Sequence, residues 1–367
     1  MRRIGIDVGG TNTDAVLIED GKVVRAVKAP TSEDVTTGIL ESLKSLGSTG
    51  VLAGKKIDGV MIGTTHFINA VVQRRHLTKV AALRLGMPAS ASLPPFCDWP
   101  EDLAALVRGA AYLSGLSDAM VIDVGGTTTD VGQLKHGFPR EANSVVKVGG
   151  VRTLFRMPDL LSIGLGGGSH VQLESEGKGP LKVGPLSVGY RLLKDGIAFG
   201  GKQLTTTDIA VAAGVLKLGD KAKVVHLDAA TCRKVFAEAA RMAEEAIDRM
   251  KTEAGDVPLI AVGGGAFLVP DKLPGVSRVI HVEHGDCANA VGAAIAQVSG
   301  ECDQIFKDLS RAEALSAAQG IANDRAVAAG AERKSLQTIE SEDMPLAYLP
   351  GNSVRVRVRV VGDVAAA

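Results

Sequence analysis

Aromatic residues are scarce in this chain: one Trp, three Tyr and eight Phe stand against 44 Gly in 367 residues. The core must therefore be aliphatic and the loops glycine-rich, a balance found in α/β nucleotide binders. Net charge is missing too. Lys plus Arg and Asp plus Glu both number 41, so no overall field draws the chain to nucleic acid or to an anionic membrane surface. No uninterrupted apolar run is long enough to span a bilayer. The start, MRRIGIDVGG, breaks its apolar stretch at Asp7, too early for a secretory signal, and the expected compartment is the cytoplasm. The cysteines, Cys97, Cys232, Cys287 and Cys302, form no CxxC pair and have no His at metal-ligand spacing. They read as structural thiols rather than a zinc site.

What the chain does have is a repeated phrase. Asp7-Val8-Gly9-Gly10-Thr11-Asn12-Thr13-Asp14 returns as Asp123-Val124-Gly125-Gly126-Thr127-Thr128-Thr129-Asp130. Each copy lies between short apolar runs, so each reads as strand, tight glycine turn, strand. Paired glycines let a backbone turn sharply and approach a ligand closely, and successive exposed N–H groups form an anion nest. Thr hydroxyls add donors, and the Asp at each strand end can hold hydrated Mg²⁺. A single such turn is most simply a hairpin. Two copies with acids and hydroxyls intact predict two related half-domains facing one polyphosphate.

Around these turns the pattern predicts strands near 2–7, 14–19 and 22–28, then a helix over 32–46. A buried strand over 57–62 ends in Gly63-Thr64-Thr65-His66, where an α/β sheet exposes ligand groups. His66 is a candidate ligand or acid/base residue, or a solvated helix-start cap. A helix over 67–75, a strand over 79–85, a loop over 86–100 and a helix over 101–115 follow. The second hairpin occupies 118–134, with a further strand near 144–148. A third glycine-rich loop holds Gly166, Gly167 and Gly168, and Thr205-Thr206-Thr207-Asp208 caps a helix starting at Ile209. A long helix is expected over 229–252, a strand over 258–262 feeding Gly263-Gly264-Gly265, a small-residue helix over 286–298 and an alanine-rich helix over 310–330. The period-two arginines Arg355, Arg357 and Arg359 read as one solvated face of a terminal strand, with a partner-binding edge as the alternative.

The two DVGGTxTD hairpins, the VGGGAFLVP turn and the antiparallel-then-wound strand order resemble the actin-like ATPase superfamily. Within it, GTTHFINAVVQRR, VGGVRTLFRMPDLLSIGLGGGS and TTTDIAVAAG are similar to the hydantoinase/oxoprolinase family, especially its short hydantoin-utilisation A type. The resemblance covers essentially the whole chain. It implies an α/β fold of two actin-like (ribonuclease H-like) half-domains, the first abbreviated, over 1–108 and 109–305, with a C-terminal helix and strand pair over 306–367.

The same resemblance implies that ATP phosphates are clasped by Gly9, Gly10, Thr11 and Thr13 on one side and by Gly125, Gly126, Thr127 and Thr128 on the other. Gly166 to Gly168 add to the nucleotide site. Asp7 and Asp123 would hold Mg²⁺, Gly263 to Gly265 would pass under the adenosine, and Asn289 would lie near that wall. Thr64, Thr65, His66 and Asn69 would line the substrate side, and Asp14, Asp130 and Asp208 are acid/base candidates. The family opens cyclic amides such as hydantoins or 5-oxoproline with ATP, or supplies the ATP-using subunit of ketone carboxylases, so a second hydantoinase-type subunit and an oligomer are expected. In one respect the chain departs from the pattern. Short family members carry a long segment between the equivalents of Arg108 and Gly109, which abut here; that favours, as a third reading, a nucleotide-binding regulatory subunit without turnover.

Overall fold

The computed structural model describes residues 2–9, 12–31, 35–54, 56–64, 109–135, 137–140, 147–148, 151–152, 159–173, 180–346 and 352–365. They fall into two compact units, Met1–Ala294 and Ile295–Ala367. The expected elements over 67–75, 79–85 and 86–100, with Cys97, lie outside the described residues.

The first unit holds two sheets of related plan. In the first, β1 (Arg2–Val8), β2 (Asn12–Glu19) and β3 (Lys22–Pro30) are antiparallel, and β4 (Gly59–Thr64) adds parallel to β1, giving the order β3-β2-β1-β4. The helix Val35–Gly47 follows β3, as the pattern predicts. Ile4, Ile6, Val8, Ala15 and Leu17 project to one face and pack with Leu46 of that helix. The period of two puts the intervening residues, Gly5 and Asp7 among them, on the other face.

The second sheet repeats this order. β5 (Ala119–Val124) pairs antiparallel with β6 (Thr129–Lys135) and parallel with β13 (Val257–Val262), and β14 (Val276–His281) adds outside β13. β10 (Leu160–Ile163) closes the other edge, pairing antiparallel with β6. Every residue of β5 is buried, because Met120 and Ile122 face one apolar cluster while Ala119 and Val121 face another. Burial on both sides turns a strand into a continuous apolar run. The helix Ala229–Met250 covers the first cluster with Cys232, Val235, Ala239, Ala243, Ala246 and Ile247, spaced to form one stripe. Asp228 caps it, accepting the Thr231 N–H at 2.6 Å. Shorter pieces are β7 (Phe138–Pro139) on β6, β8 (Lys147–Val148) with β9 (Val151–Arg152), and β11 (Ser169–Gln172) with β12 (Lys182–Ser187).

Several boundaries differ from the sequence reading. The capped helix runs over Thr206–Ala212, not from Ile209, because Thr205 is the cap and Asp208 sits in its first turn. The small-residue helix is confined to Ala288–Ala294. Its small side chains allow backbone contact on both sides: a Cβ on Gly5 of β1 would lie 2.0 Å from the Ala290 carbonyl, and one on Gly109 would lie 1.9 Å from that of Ala288.

The second unit begins before residue 306. β15 (Val298–Phe306), absent from the sequence reading, pairs along its whole length with β17 (Val354–Gly362), and β16 (Gln337–Pro345) pairs on the other side. VSGECDQIF lacks strand alternation because only Gly300 and Cys302 are buried. The helix Arg311–Ala328 lays Ala314, Ala318, Ala322 and Ala326 on this sheet, close enough that a Cβ on Gly300 would lie 2.2 Å from the Ala322 carbonyl. β17 is therefore central and not an edge. Its arginines face acids on the neighbouring strands: Arg355 and Arg357 bond Asp303 at 2.7 and 2.8 Å, and Glu342 and Glu340 stand opposite Arg357 and Arg359. The partner-edge reading fails, since the ladder positions and charges of this row are taken up within the unit.

Candidate active site

The two sheets place the duplicated phrases in matching geometry. Asp7 pairs across from Asp14, and Asp123 from Asp130. The Gly9 N–H donates to the Asn12 carbonyl at 3.0 Å, and the Gly125 N–H to the Thr128 carbonyl at 2.9 Å. The same closing hydrogen bond therefore stands at the carboxyl end of each central strand.

Their surroundings are not identical. On the first sheet Lys28 of β3 lies across from Asp14, its ammonium 2.8 Å from one carboxylate oxygen and 3.0 Å from the other. Burial raises the Asp14 pKa against the opposing pull of Lys28. Burial works most strongly against the Lys28 charge, but Asp14, Cys287 and Asp286 together outweigh it and the Lys28 pKa is raised. Lys28 further donates to the Asp286 carbonyl at 3.1 Å, tying the first sheet to the segment before the helix Ala288–Ala294. On the second sheet the matching position across from Asp130 is Ser162, whose hydroxyl donates to the Asp130 carboxylate. Burial raises Asp130. Burial, with Asp130 as the next cause, pushes Asp123 up to about 7. Asn289 meets Asp123 at 3.4 Å, so the residue expected near the nucleotide wall touches the carboxylate.

A divalent cation suits this second pair. A buried and a half-buried carboxylate with hydroxyl and amide neighbours are hard oxygen donors, and their mutual repulsion is relieved by added positive charge. Among the described residues no group of three or more His, Cys, Asp or Glu is arranged to hold a metal by itself, so a cation here would keep several waters, as Mg²⁺ does.

Gly263 to Gly265 run beneath the second turn. The Gly265 N–H donates to the Val124 carbonyl at 2.7 Å, and Gly263 has φ +89° with its ideal Cβ 2.1 Å from the Asp123 carboxylate. Gly166 to Gly168 press on the same turn from another direction. The Gly167 and Gly168 N–H groups donate to the Gly125 and Gly126 carbonyls at 3.0 and 2.7 Å. Those two amides are spent inside the protein, which corrects the expectation that this loop offers them to a nucleotide. Asp208 is likewise committed: one oxygen accepts from the Ala198 N–H at 2.7 Å, the other from the Thr205 N–H and hydroxyl, each at 2.8 Å. A fully buried carboxylate with both oxygens bonded caps a helix and has no route to a substrate, so it is not an acid/base group.

The Thr13 hydroxyl is buried and 3.2 Å from that of Thr31. Thr127 and Thr128 are exposed at the tip of the second turn. Gly10, Thr11, Thr65, His66 and Asn69 lie outside the described residues, and of Thr64 only the backbone, at the end of β4, is described. Lys28, Thr31 and Ser162 escaped the sequence reading. Their signal is strand register, which becomes readable only once the sheet order is known.

Two hairpin-first sheets of one plan, each ending in a glycine turn beside paired carboxylates, make this an α/β protein of two actin-like ATPase half-domains. The fold is shared with acetone carboxylase in its nucleotide-free form (TM-score 0.71, 15% identity, 100% of this chain and 88% of that one). It is also shared with the ATP-dependent caprolactamase from Pseudomonas jessenii (TM-score 0.65, 14% identity, 99% and 88%). No curated protein matches the sequence. Residues 3–113 match the hydantoinase/oxoprolinase N-terminal region and residues 103–254 match hydantoinase/oxoprolinase itself; the chain belongs to the hydantoinase/oxoprolinase family.

Proposed function

We propose that this chain is an ATP- and Mg²⁺-dependent hydrolase that opens cyclic amides of the hydantoin or 5-oxoproline type, working with a second hydantoinase-type subunit in the cytoplasm. One observation carries the reading: the second glycine turn presents Gly126 and Thr127 amides with no partner among the described residues, next to the buried Asp123 and the half-buried Asp130. Amide donors bind phosphate oxygens, and a bound Mg²⁺ supplies charge neutralisation on a transferring phosphoryl group. Family membership supports the substrate class; among the described residues no helix is long and apolar enough to cross a membrane.

A lactam carbonyl is a poor electrophile. In the proposed reaction its oxygen takes the γ-phosphoryl group of ATP as ADP leaves, and water adds to the activated carbon. The ring nitrogen then departs as an amine, taking a proton, and a second water frees phosphate from the remaining acyl phosphate. Asp7 and Asp123 would hold the cation, with Asp130 across from Asp123, the two turns would grip phosphate oxygens, and Lys28 would offset the Asp14 charge.

A second reading, the ATP-using subunit of a ketone carboxylase, is favoured by the fold shared with acetone carboxylase. Phosphate release measured over a panel of lactams, hydantoins and ketones, with and without labelled bicarbonate, separates the two. The hydrolase reading expects release stimulated by a cyclic amide, no label incorporated, and loss of activity in Asp7→Asn and Asp123→Asn. Incorporated label would transfer the assignment to the carboxylase, and full activity in both variants would remove the carboxylates from it.

A further inference from the structure

The threonine-rich segment Thr205-Thr206-Thr207-Asp208 is more than a helix cap. Thr206 and Thr207 are buried and converge on the Gly166–Gly168 loop. The Gly167 carbonyl accepts three donors: the Thr207 N–H at 2.9 Å, the Thr207 hydroxyl at 2.7 Å and the Thr206 hydroxyl at 2.8 Å. The Thr206 hydroxyl also reaches the Gly166 carbonyl at 2.5 Å. Held in this way, the loop donates its next two amides to the Gly125 and Gly126 carbonyls. It lies so close that a Cβ on Gly166 would sit 2.7 Å from the Thr127 nitrogen.

Peptide planarity gives this chain of bonds a consequence. In a trans peptide the C=O and N–H point in opposite directions. A Gly125 carbonyl drawn toward Gly167 therefore turns the Gly126 N–H away from the loop, and a Gly126 carbonyl drawn toward Gly168 turns the Thr127 N–H the same way. These are the two amides without a partner among the described residues. In the first copy the Thr31 hydroxyl donates to the Gly9 carbonyl at 2.9 Å.

We propose that Thr207, with Thr206 beside it, is a positioning residue for phosphate binding: through the Gly166–Gly168 loop it aims the Gly126 and Thr127 amides at the nucleotide. This rests on the nucleotide-binding reading above. Thr207 touches neither phosphate nor metal; it acts two hydrogen-bonded layers away. Its β-branched side chain restricts χ1, so serine preserves the bond with some loss of rigidity and valine preserves the shape without the bond.

The test is calorimetric MgATP binding to the full chain, with wild type, Thr207→Val and Thr207→Ser compared well below their melting temperatures. Hydrogen exchange of the 125–128 amides is followed with and without MgATP. Losing one buried hydrogen bond from the support should weaken binding about fivefold to tenfold. It should also reduce the nucleotide-induced protection of Gly126 and Thr127, and serine should restore both. If Thr207→Val does not fold, Thr206→Val provides the same comparison. Wild-type binding with unchanged affinity in the folded valine variant, whatever its melting temperature, overturns the inference alone. Absence of MgATP binding by wild type overturns the nucleotide reading together with it.

Discussion

Lys28 stands directly across from Asp14 in the first sheet, its ammonium 2.8 Å from the carboxylate, while the second sheet has Ser162 at the matching place across from Asp130. The two glycine-turn sheets thus share a backbone plan and differ in charge. The first carries its own cation against Asp14; in the second a hydroxyl and an amide meet the carboxylate pair directly, with the Lys28 charge acting on Asp123 as a weaker influence. The asymmetry makes the second sheet the place where an added cation gains most.

Lys28→Met should leave Asp14 buried without its counter-charge. With Lys28 about one-third exposed and Asp14 largely buried, the cost should fall between that of a surface and an interior pair, about 2 kcal/mol. Urea unfolding of the single variants and of Lys28→Met/Asp14→Asn checks it. The double variant should recover part of the loss, because the uncompensated charge is gone.

Asp208→Asn should be a stability lesion. An amide cannot accept at both ends, so at least one of the Ala198 and Thr205 donors loses its partner in a fully buried site. The expected loss is on the order of 2 kcal/mol, read as a lowered melting temperature.

Gly263→Ala combines two faults, a left-handed φ of +89° and a Cβ 2.1 Å from the Asp123 carboxylate. It should cost about 2 kcal/mol or more and weaken MgATP binding by moving Asp123. Gly50→Ala, at φ +74° with nothing within 4 Å, should cost about 1 kcal/mol through strain alone and leave MgATP affinity unchanged. Calorimetric titration beside thermal melts distinguishes the two.

Asp303 sets a pH dependence for the C-terminal unit. Hydrogen bonds from Arg355, opposed by burial and reinforced by Arg357, hold its pKa below 3.8. The folded unit therefore binds this proton less readily than the unfolded chain does, so the stabilisation is present above the unfolded value and is lost as pH falls through the folded one. Asp303→Asn should remove about 1 kcal/mol at pH 7 and nothing in strong acid. Hydrogen exchange of the β15 and β17 amides across a pH series reads the difference.

The duplicated phrases were legible because glycine pairs, flanking apolar runs and terminal acids are local signals; the resulting hairpins fall within a residue or two of the expected positions. β15 was not legible. Its partner β17 lies some fifty residues away, and one of its two buried positions, Gly300, shows no apolar side chain to a pattern search. Asp208 misled for a related reason. An acid after three threonines looks the same in sequence whether its oxygens face a substrate or an amide, and the Ala198 N–H that claims one of them comes from a different turn.

By itself the sequence determined the two glycine turns, the aliphatic core and the family, since these depend on residue type and short spacing. Tertiary structure alone decided which acids remain available. Lys28 was assigned to Asp14 by strand register, and Thr206 and Thr207 reached Gly167 through a fold that brings residues some forty positions apart into hydrogen-bond range. Charge balance and amide direction depend on distance and orientation in space, which separate one turn from its near-identical copy.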